Sequence, residues 1–432
     1  MRTWYLWQVS SAVTPWAAPQ ASGLQASVSI PGSKSLTNRE LLLAALAEGP
    51  SVLVDPLESR DSKLMIQALT QLGVSFETNG NEIVVIPGRL AGPATIDCGL
   101  AGTVMRFVPP MAALAKGKIE FDGDLAARRR PMHTTIDSLR ALGVQVTAET
   151  SSLPFTIEGT GSITGGELTI DASASSQFVS GLLLSAPRFD QGLTLHHQGE
   201  HLPSMPHIEM TLQCLRDRGV VANQIDTASW RVEPGEIKGM RVQIEPDLSN
   251  AGPFLAAALV AGGSVSIPNW PSKTTQVGAM FPTLLEHMGA NWEIKQGTLI
   301  LSGDGTVRGI DADLSEAGEL TPTIAALAAL ADSPTRLRGI GHLRGHETDR
   351  LAALVAEINR LGGKATELPD GIAIEPAALH GGEWQTYEDH RMATAGAIVG
   401  LRVPGVLVED ISVTSKTMPE FAQMWTQMLG EN

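Results

Sequence analysis

Hydroxyl, ammonium and guanidinium groups crowd one short stretch of the chain, Ser33-Lys34-Ser35-Leu36-Thr37-Asn38-Arg39. It follows an alternating segment, Ala26-Ser27-Val28-Ser29-Ile30, and a Pro31-Gly32 turn, and it leads into the apolar run Leu41 to Ala47, which reads as a helix. The first turn of a helix carries unpaired N–H groups and the positive end of the macrodipole. Hydroxyls and two cations added there make a site for a phosphate or a carboxylate. A plain capped helix would carry the same letters, because Ser33 or Ser35 can serve only as an N-cap. The rest of the chain separates these readings.

Five further helix starts carry polar or charged groups at the same place. They are Ala101-Gly102-Thr103-Val104-Met105-Arg106, Ser173-Ala174-Ser175-Ser176-Gln177, Asp247-Leu248-Ser249-Asn250, Gly318-Glu319-Leu320-Thr321 and Glu388-Asp389-His390-Arg391. A second set heads other helices: Arg128-Arg129-Arg130-Pro131, Ser204-Met205-Pro206-His207, Arg344 to Arg350, and Thr414-Ser415-Lys416-Thr417-Met418-Pro419. One charge run before a helix is most simply a solvated cap. Many at equivalent positions favour a site, and converging helix N-termini would bind a ligand with more than one negative group.

The elements that position these groups repeat. A glycine closes a helical pattern at Gly73, Gly143, Gly219, Gly289, Gly362 and Gly430, with separations of 70, 76, 70, 73 and 68 residues. Glycine at this place takes the left-handed conformation that ends a helix. Short strands after an Ala/Leu-rich helix begin near Val52, Ile119, Leu193, Val265, Arg336 and Val406, with the same period. Two markers with one period predict six copies of a unit of two helices and about four strands, an α/β (α+β) chain. Val28-Ser29-Ile30-Pro31 and Val242-Gln243-Ile244-Glu245-Pro246 are equivalent lead-ins. They divide the chain into a first domain of three repeats, 31–245, and a second formed by 1–30 plus 246–432. Two strands cross between them as a hinge, with the site in the interdomain cleft.

Composition narrows the function classes. A chain of 432 residues with 43% hydrophobic content suits two or three domains. A net charge of −15 argues against a nucleic-acid partner. No apolar run reaches membrane-spanning length, and residues 1–20, interrupted by Gln8, Ser10 and Ser11, read as a lead-in strand or tail rather than a signal peptide. The two cysteines, Cys98 and Cys214, make neither a disulfide framework nor a zinc site, read as buried small hydrophobes, and fit a reducing cytosol. His196, His197 and His201 have metal-like spacing, but neighbours on a strand point to opposite faces, so they read as surface histidines.

The ordered motifs Pro31 to Arg39, Ala101 to Arg106, Arg130-Pro131, Ser175-Ser176-Gln177, Glu347-Thr348-Asp349-Arg350, Asp389-His390-Arg391-Met392-Ala393 and Lys416-Thr417 give the chain a specific likeness. Over nearly its whole length it resembles the 5-enolpyruvylshikimate-3-phosphate synthases of the enolpyruvyl transferase family. The resemblance implies two inside-out α/β domains, each of three βαβαββ repeats, joined by two crossover strands. It implies transfer of the enolpyruvyl group of phosphoenolpyruvate to the 5-hydroxyl of shikimate 3-phosphate with release of phosphate. It further implies a cytoplasmic monomer without metal or organic cofactor. The family's shikimate 3-phosphate contacts fall on Lys34, Ser35, Arg39, Ser175, Ser176, Gln177, Ser204, Glu319 and His346. Its phosphoenolpyruvate contacts fall on Lys34, Gly102, Arg130, Gln177, Arg350, Arg391 and Lys416. Glu319 is expected as the base, with Glu347 and Lys416 or Lys34 as proton-transfer partners.

The chain departs from the commonest family pattern. Leu100 replaces Asn before Ala-Gly-Thr, and Phe107 replaces Pro, which bears on the phosphoenolpyruvate pocket and on glyphosate sensitivity. Glu319 replaces Asp, His342 replaces Asn, and His346 replaces Lys, which predicts a pH-dependent phosphosubstrate contact. The alternatives are a UDP-N-acetylglucosamine enolpyruvyl transferase, whose reactive cysteine in a basic loop has no counterpart here, and a non-catalytic binder of phosphorylated metabolites, which would not need both Glu319 and Glu347.

Overall fold

The computed structural model describes residues 14–430. Most of the tryptophan-rich lead-in, residues 1–13, lies outside the described residues, while Trp16–Ala17 forms a short strand antiparallel to Val406–Val408.

The repeating unit is clearest in the second copy. Strand Ala94–Asp97 pairs in parallel with Lys116–Asp122, and helix Gly102–Ala112 makes the crossover between them. Helix His133–Ala141 then leads to a hairpin, Gln145–Ala148 and Phe155–Thr160, whose second strand pairs antiparallel with Lys116–Asp122. The third and fifth sheets repeat this order. In the first and fourth sheets the leading strand arrives from the other half of the sequence. Arg241–Gln243 pairs in parallel with Ser51–Val54, and Leu24–Ser27 pairs in parallel with Gly263–Ile267. This exchange obliges the chain to cross twice.

The crossings differ from the expected strands. The lead-in strand spans Leu24–Ser27 rather than 26–30, because its register is set by pairing with Gly263–Ile267. The two crossing segments meet as an isolated antiparallel bridge between Gly32 and Pro246. Ser33 N–H donates to Glu245 O and Asp247 N–H to Pro31 O, both at 2.8 Å. The sixth sheet has three strands, with Trp16–Ala17 where the other sheets have a hairpin.

All six helix-closing glycines have positive φ, from 77° at Gly430 to 112° at Gly289. Two separate apolar cores form, one running from Leu41 to Ile244 and one combining Ala18–Ile30 with Leu248–Met428. Helices Gly102–Ala112 and Thr321–Ala329 are buried at every position, and Leu248–Ala261 at all but its last. A helix that is apolar all round belongs inside a core, and alanines let these helices pack closely. The sheets lie outside them, with exposed and buried residues alternating along strands such as Ala94–Asp97.

Candidate active site

This arrangement aims the helix N-termini at one place. A single cavity is lined by residues of both halves. Its walls include the helix starts at Lys34 and Ser35, Gly102 and Thr103, Ser176 and Gln177, Glu319, and His390 and Arg391. Every expected site residue except Lys416 lines it: Arg39, Arg130, Ser175, Ser204, His346, Glu347 and Arg350 complete the set. Lys416 stands just behind the wall, where its Nζ donates to Glu347 Oε1 at 2.6 Å and to Leu100 O at 3.2 Å.

Ser33 caps the first helix through Leu36 N–H, which leaves Ser35 free to face the cavity. Lys34 N–H donates to Asp247 Oδ2 at 3.0 Å, and its Nζ lies 3.9 Å from Asp61 Oδ2. Burial pulls the Lys34 ammonium below its ordinary pKa, with Lys416 adding to the effect and Asp61 opposing it. Arg39 is held in place by Thr211 Oγ1 at 2.9 Å, Ser35 O at 3.0 Å and His207 O at 2.9 Å, with its guanidinium 5.2 Å from the Phe107 ring centre. Phe107 thus fills the space beside Arg39 as well as lining the cavity.

Two carboxylates face the cavity from the second half. Glu319 accepts from Ser249 Oγ, and from His207 Nε2 at 3.2 Å, with Arg391 Nη2 at 3.8 Å. Burial alone would raise the Glu319 carboxyl, but His207 and Arg391 outweigh it and hold the group well below the usual carboxylate range. Glu347 accepts from Lys416 and, at 3.0 Å, from Arg350 Nη2. Burial again acts upward and is outweighed by Lys416, Arg350 and Arg130, so Glu347 is also ionised.

Arg350 is clamped by Asp389 at 2.7 and 3.2 Å. Its Nη1 donates to His346 Nδ1 at 3.2 Å. Burial and the Arg350 charge push His346 well below the ordinary imidazole pKa. It is therefore neutral around pH 7 in the site without substrate. His342, 5.9 Å from it between ring centres, is pushed down to about 4 by burial.

Buried polar atoms without a protein partner gather here. Among the described residues they include Arg106 Nε, Arg130 Nε, Gln177 Oε1, His342 Nε2 and both ring nitrogens of His390. Six further such atoms, on Asn38, Ser185, His197, Trp230, Thr321 and Trp425, belong to residues that do not line the cavity; those that do line it are groups a polar ligand would satisfy. Gly102 lets three of these side chains converge: a Cβ there would lie 2.9 Å from Gln177 Oε1, 3.0 Å from Arg106 Nη1 and 3.1 Å from Arg130 Nη2.

Asp61 is a site partner that sequence reading did not single out, and His207 and Ser249, which lie in polar helix starts it named, had no role assigned. Asp61 heads helix Arg60–Gln71, the second helix of the first repeat. That is the place held by Arg130, Ser204, His346 and Lys416 in other repeats, so the period itself was the signal. Outside the cleft, His196 bonds Ser229 Oγ and Glu167, whereas the half-buried His197 accepts from Ala172 N–H. Among the described residues no group of His, Cys, Asp and Glu is arranged to hold a metal ion. Cys98 and Cys214 are unpaired and buried, and burial raises both thiols.

Two α/β halves thus line one cleft that gathers arginines, lysines and two carboxylates, an arrangement suited to small anionic substrates. The profile of the family EPSP synthase (3-phosphoshikimate 1-carboxyvinyltransferase) matches residues 19–425. A 3-phosphoshikimate 1-carboxyvinyltransferase from Kocuria rhizophila is 58% identical over 429 residues, 96% of each chain. Two solved structures of EPSP synthase from Acinetobacter baumannii superpose with TM-scores of 0.77 and 0.76 at 26% identity, covering 95% of this chain and 97% of theirs. The chain belongs to the EPSP synthase family, and it is an enzyme of the carboxyvinyltransferase class.

Proposed function

We propose that the cleft transfers the carboxyvinyl group of phosphoenolpyruvate to the 5-hydroxyl of shikimate 3-phosphate, with Glu319 and Glu347 in separate proton-transfer roles. The observation that carries this reading is that both carboxylates line one cation-rich cavity, Glu319 beside His207 and Arg391, and Glu347 hydrogen-bonded to Lys416 and Arg350. Each substrate brings a carboxylate and a phosphate, which accounts for the many Arg and Lys side chains. In this reading Lys34, Ser35, Arg39, Ser175, Ser176, Gln177, Ser204, Glu319 and His346 hold shikimate 3-phosphate. Lys34, Gly102, Arg130, Gln177, Arg350, Arg391 and Lys416 hold phosphoenolpyruvate.

Glu319 takes the proton of the 5-hydroxyl as that oxygen bonds to C2 of phosphoenolpyruvate. A proton reaches C3, making it a methyl group, from an ammonium beside Glu347. Lys416 lies at 2.6 Å from that carboxylate, and Lys34, with its depressed pKa, gives up a proton more readily than a free lysine. The tetrahedral adduct then loses phosphate by cleavage of the C2–O bond, and the methyl group returns one proton to the Glu347 side.

The same reading makes 31–245 one moving domain and 1–30 with 246–432 the other, hinged at the paired segments beside Gly32 and Pro246. The cleft draws on both halves of one chain, which supports action as a monomer; the unpaired cysteines accompany a cytoplasmic setting. The test is phosphate release from phosphoenolpyruvate with each acceptor. Release with shikimate 3-phosphate and none with UDP-N-acetylglucosamine is expected. Release with the nucleotide sugar alone, or with neither, overturns the reading.

A further inference from the structure

Tyr387 and Glu388, two consecutive residues that are not glycine, have φ of 54° and 56°. This left-handed conformation is unfavourable for such side chains and persists only where the surroundings impose it. The pair lies immediately before Asp389, which is fully buried and serves two site arginines. Asp389 accepts from Arg350 Nε and Nη2, and it caps the next helix by accepting from Arg391 N–H at 2.8 Å.

The strained turn is braced away from the cleft. Tyr387 Oη donates to Glu357 Oε1 at 2.6 Å. Glu357 is fully buried and also accepts from Gln385 N–H at 2.9 Å and from Arg360 at 3.0 and 3.2 Å. On the other side, Thr386 N–H and Oγ1 both donate to Glu409 Oε2, and Asp389 N–H donates to Thr386 O. Arg350 and Glu357 belong to one helix, Arg350–Arg360, two turns apart and so on one face. The turn is therefore pinned twice to the same helix, once by Asp389 on Arg350 and once by Tyr387 on Glu357.

We propose that Glu357 and Tyr387 are positioning residues: their bond holds the 387–388 turn in its strained form and so aims Asp389, and through it Arg350 and Arg391, at phosphoenolpyruvate. The proposal rests on the substrate reading above. Neither side chain lines the main cavity, although Tyr387 lines a neighbouring one with Glu347 and Lys416, so their effect reaches substrate through the residues that the turn positions.

The test compares the wild-type enzyme with Tyr387→Phe and with the double variant Tyr387→Phe, Glu388→Asn. Phenylalanine keeps the ring and loses only the donor. Asparagine tolerates positive φ better than glutamate, so it relieves the strain that the lost bond had opposed. Phosphate release by the wild type with shikimate 3-phosphate is measured first; its absence overturns the substrate reading rather than this one. Tyr387→Phe is expected to raise the KM for phosphoenolpyruvate more than about threefold while the KM for shikimate 3-phosphate stays within that factor, and the double variant is expected to recover at least half of the loss. A phosphoenolpyruvate KM within threefold of wild type, an equal rise in both KM values, or no recovery in the double variant overturns the proposal, whatever happens to thermal stability.

Discussion

Replacing Glu319 by glutamine separates a base from a binding group. The two side chains match in size, and the amide oxygen still accepts from one of Ser249 and His207, which bond different oxygens of the carboxylate. The carboxylate that accepts a proton is gone. Positioned general bases contribute about 10²–10⁴-fold, which is about 2.7–5.4 kcal/mol of barrier at 1.36 kcal/mol per tenfold. Turnover of Glu319→Gln is therefore expected to fall by on the order of 10² or more. The secondary effect has a definite sign. Arg391 Nη2 lies 3.8 Å from Glu319, so losing the negative charge leaves Arg391 freer for a substrate carboxylate. The KM for phosphoenolpyruvate should hold or fall, and shikimate 3-phosphate should still bind by calorimetry. Because His207 and Arg391 keep the wild-type carboxyl well below its ordinary value of 4.5, the base stays ionised as pH falls through that value, and it is lost only at the depressed pKa. Turnover within tenfold of wild type, or a wild-type acid limb at the ordinary glutamate pKa in an enzyme still folded, would refute the assignment of Glu319 as base.

Other perturbations read other parts of the account. Arg391→Ala should weaken phosphoenolpyruvate while leaving binary shikimate 3-phosphate binding within about threefold, below 1 kcal/mol, by calorimetry. Gly102→Ala places a methyl group 2.9–3.1 Å from Gln177, Arg106 and Arg130, so the KM for phosphoenolpyruvate should rise more than that for the acceptor. Glu40→Ala strips the fully buried Arg218 of its carboxylate, which accepts at 2.9 and 2.7 Å, and should cost about 3–5 kcal/mol in denaturant melts with little change in either KM. Small-angle scattering should show a smaller radius of gyration with shikimate 3-phosphate and an unreactive phosphoenolpyruvate analogue together; an unchanged radius counts against hinged domains.

Much of this was legible because the unit repeats. The six closing glycines carry a backbone requirement in a single letter, and the polar helix starts carry the site. What escaped depended on contacts between distant segments. The lead-in strand slid to Leu24–Ser27 because its register follows Gly263–Ile267, far along the chain. The lowered pKa of His346 follows from burial beside Arg350, which no local pattern contains. Likewise, His207 and Ser249 meet Glu319 across 112 and 70 residues. Asp61 was missed although the period pointed to it.

The most direct test of the account is a structure of the enzyme with shikimate 3-phosphate and an unreactive phosphoenolpyruvate analogue. The account predicts the acceptor's 5-hydroxyl within about 2.6–3.2 Å of the Glu319 carboxylate, with the analogue between that hydroxyl and the Glu347–Lys416 pair. A 5-hydroxyl held by another group, or an analogue bound away from Arg350 and Arg391, would contradict it.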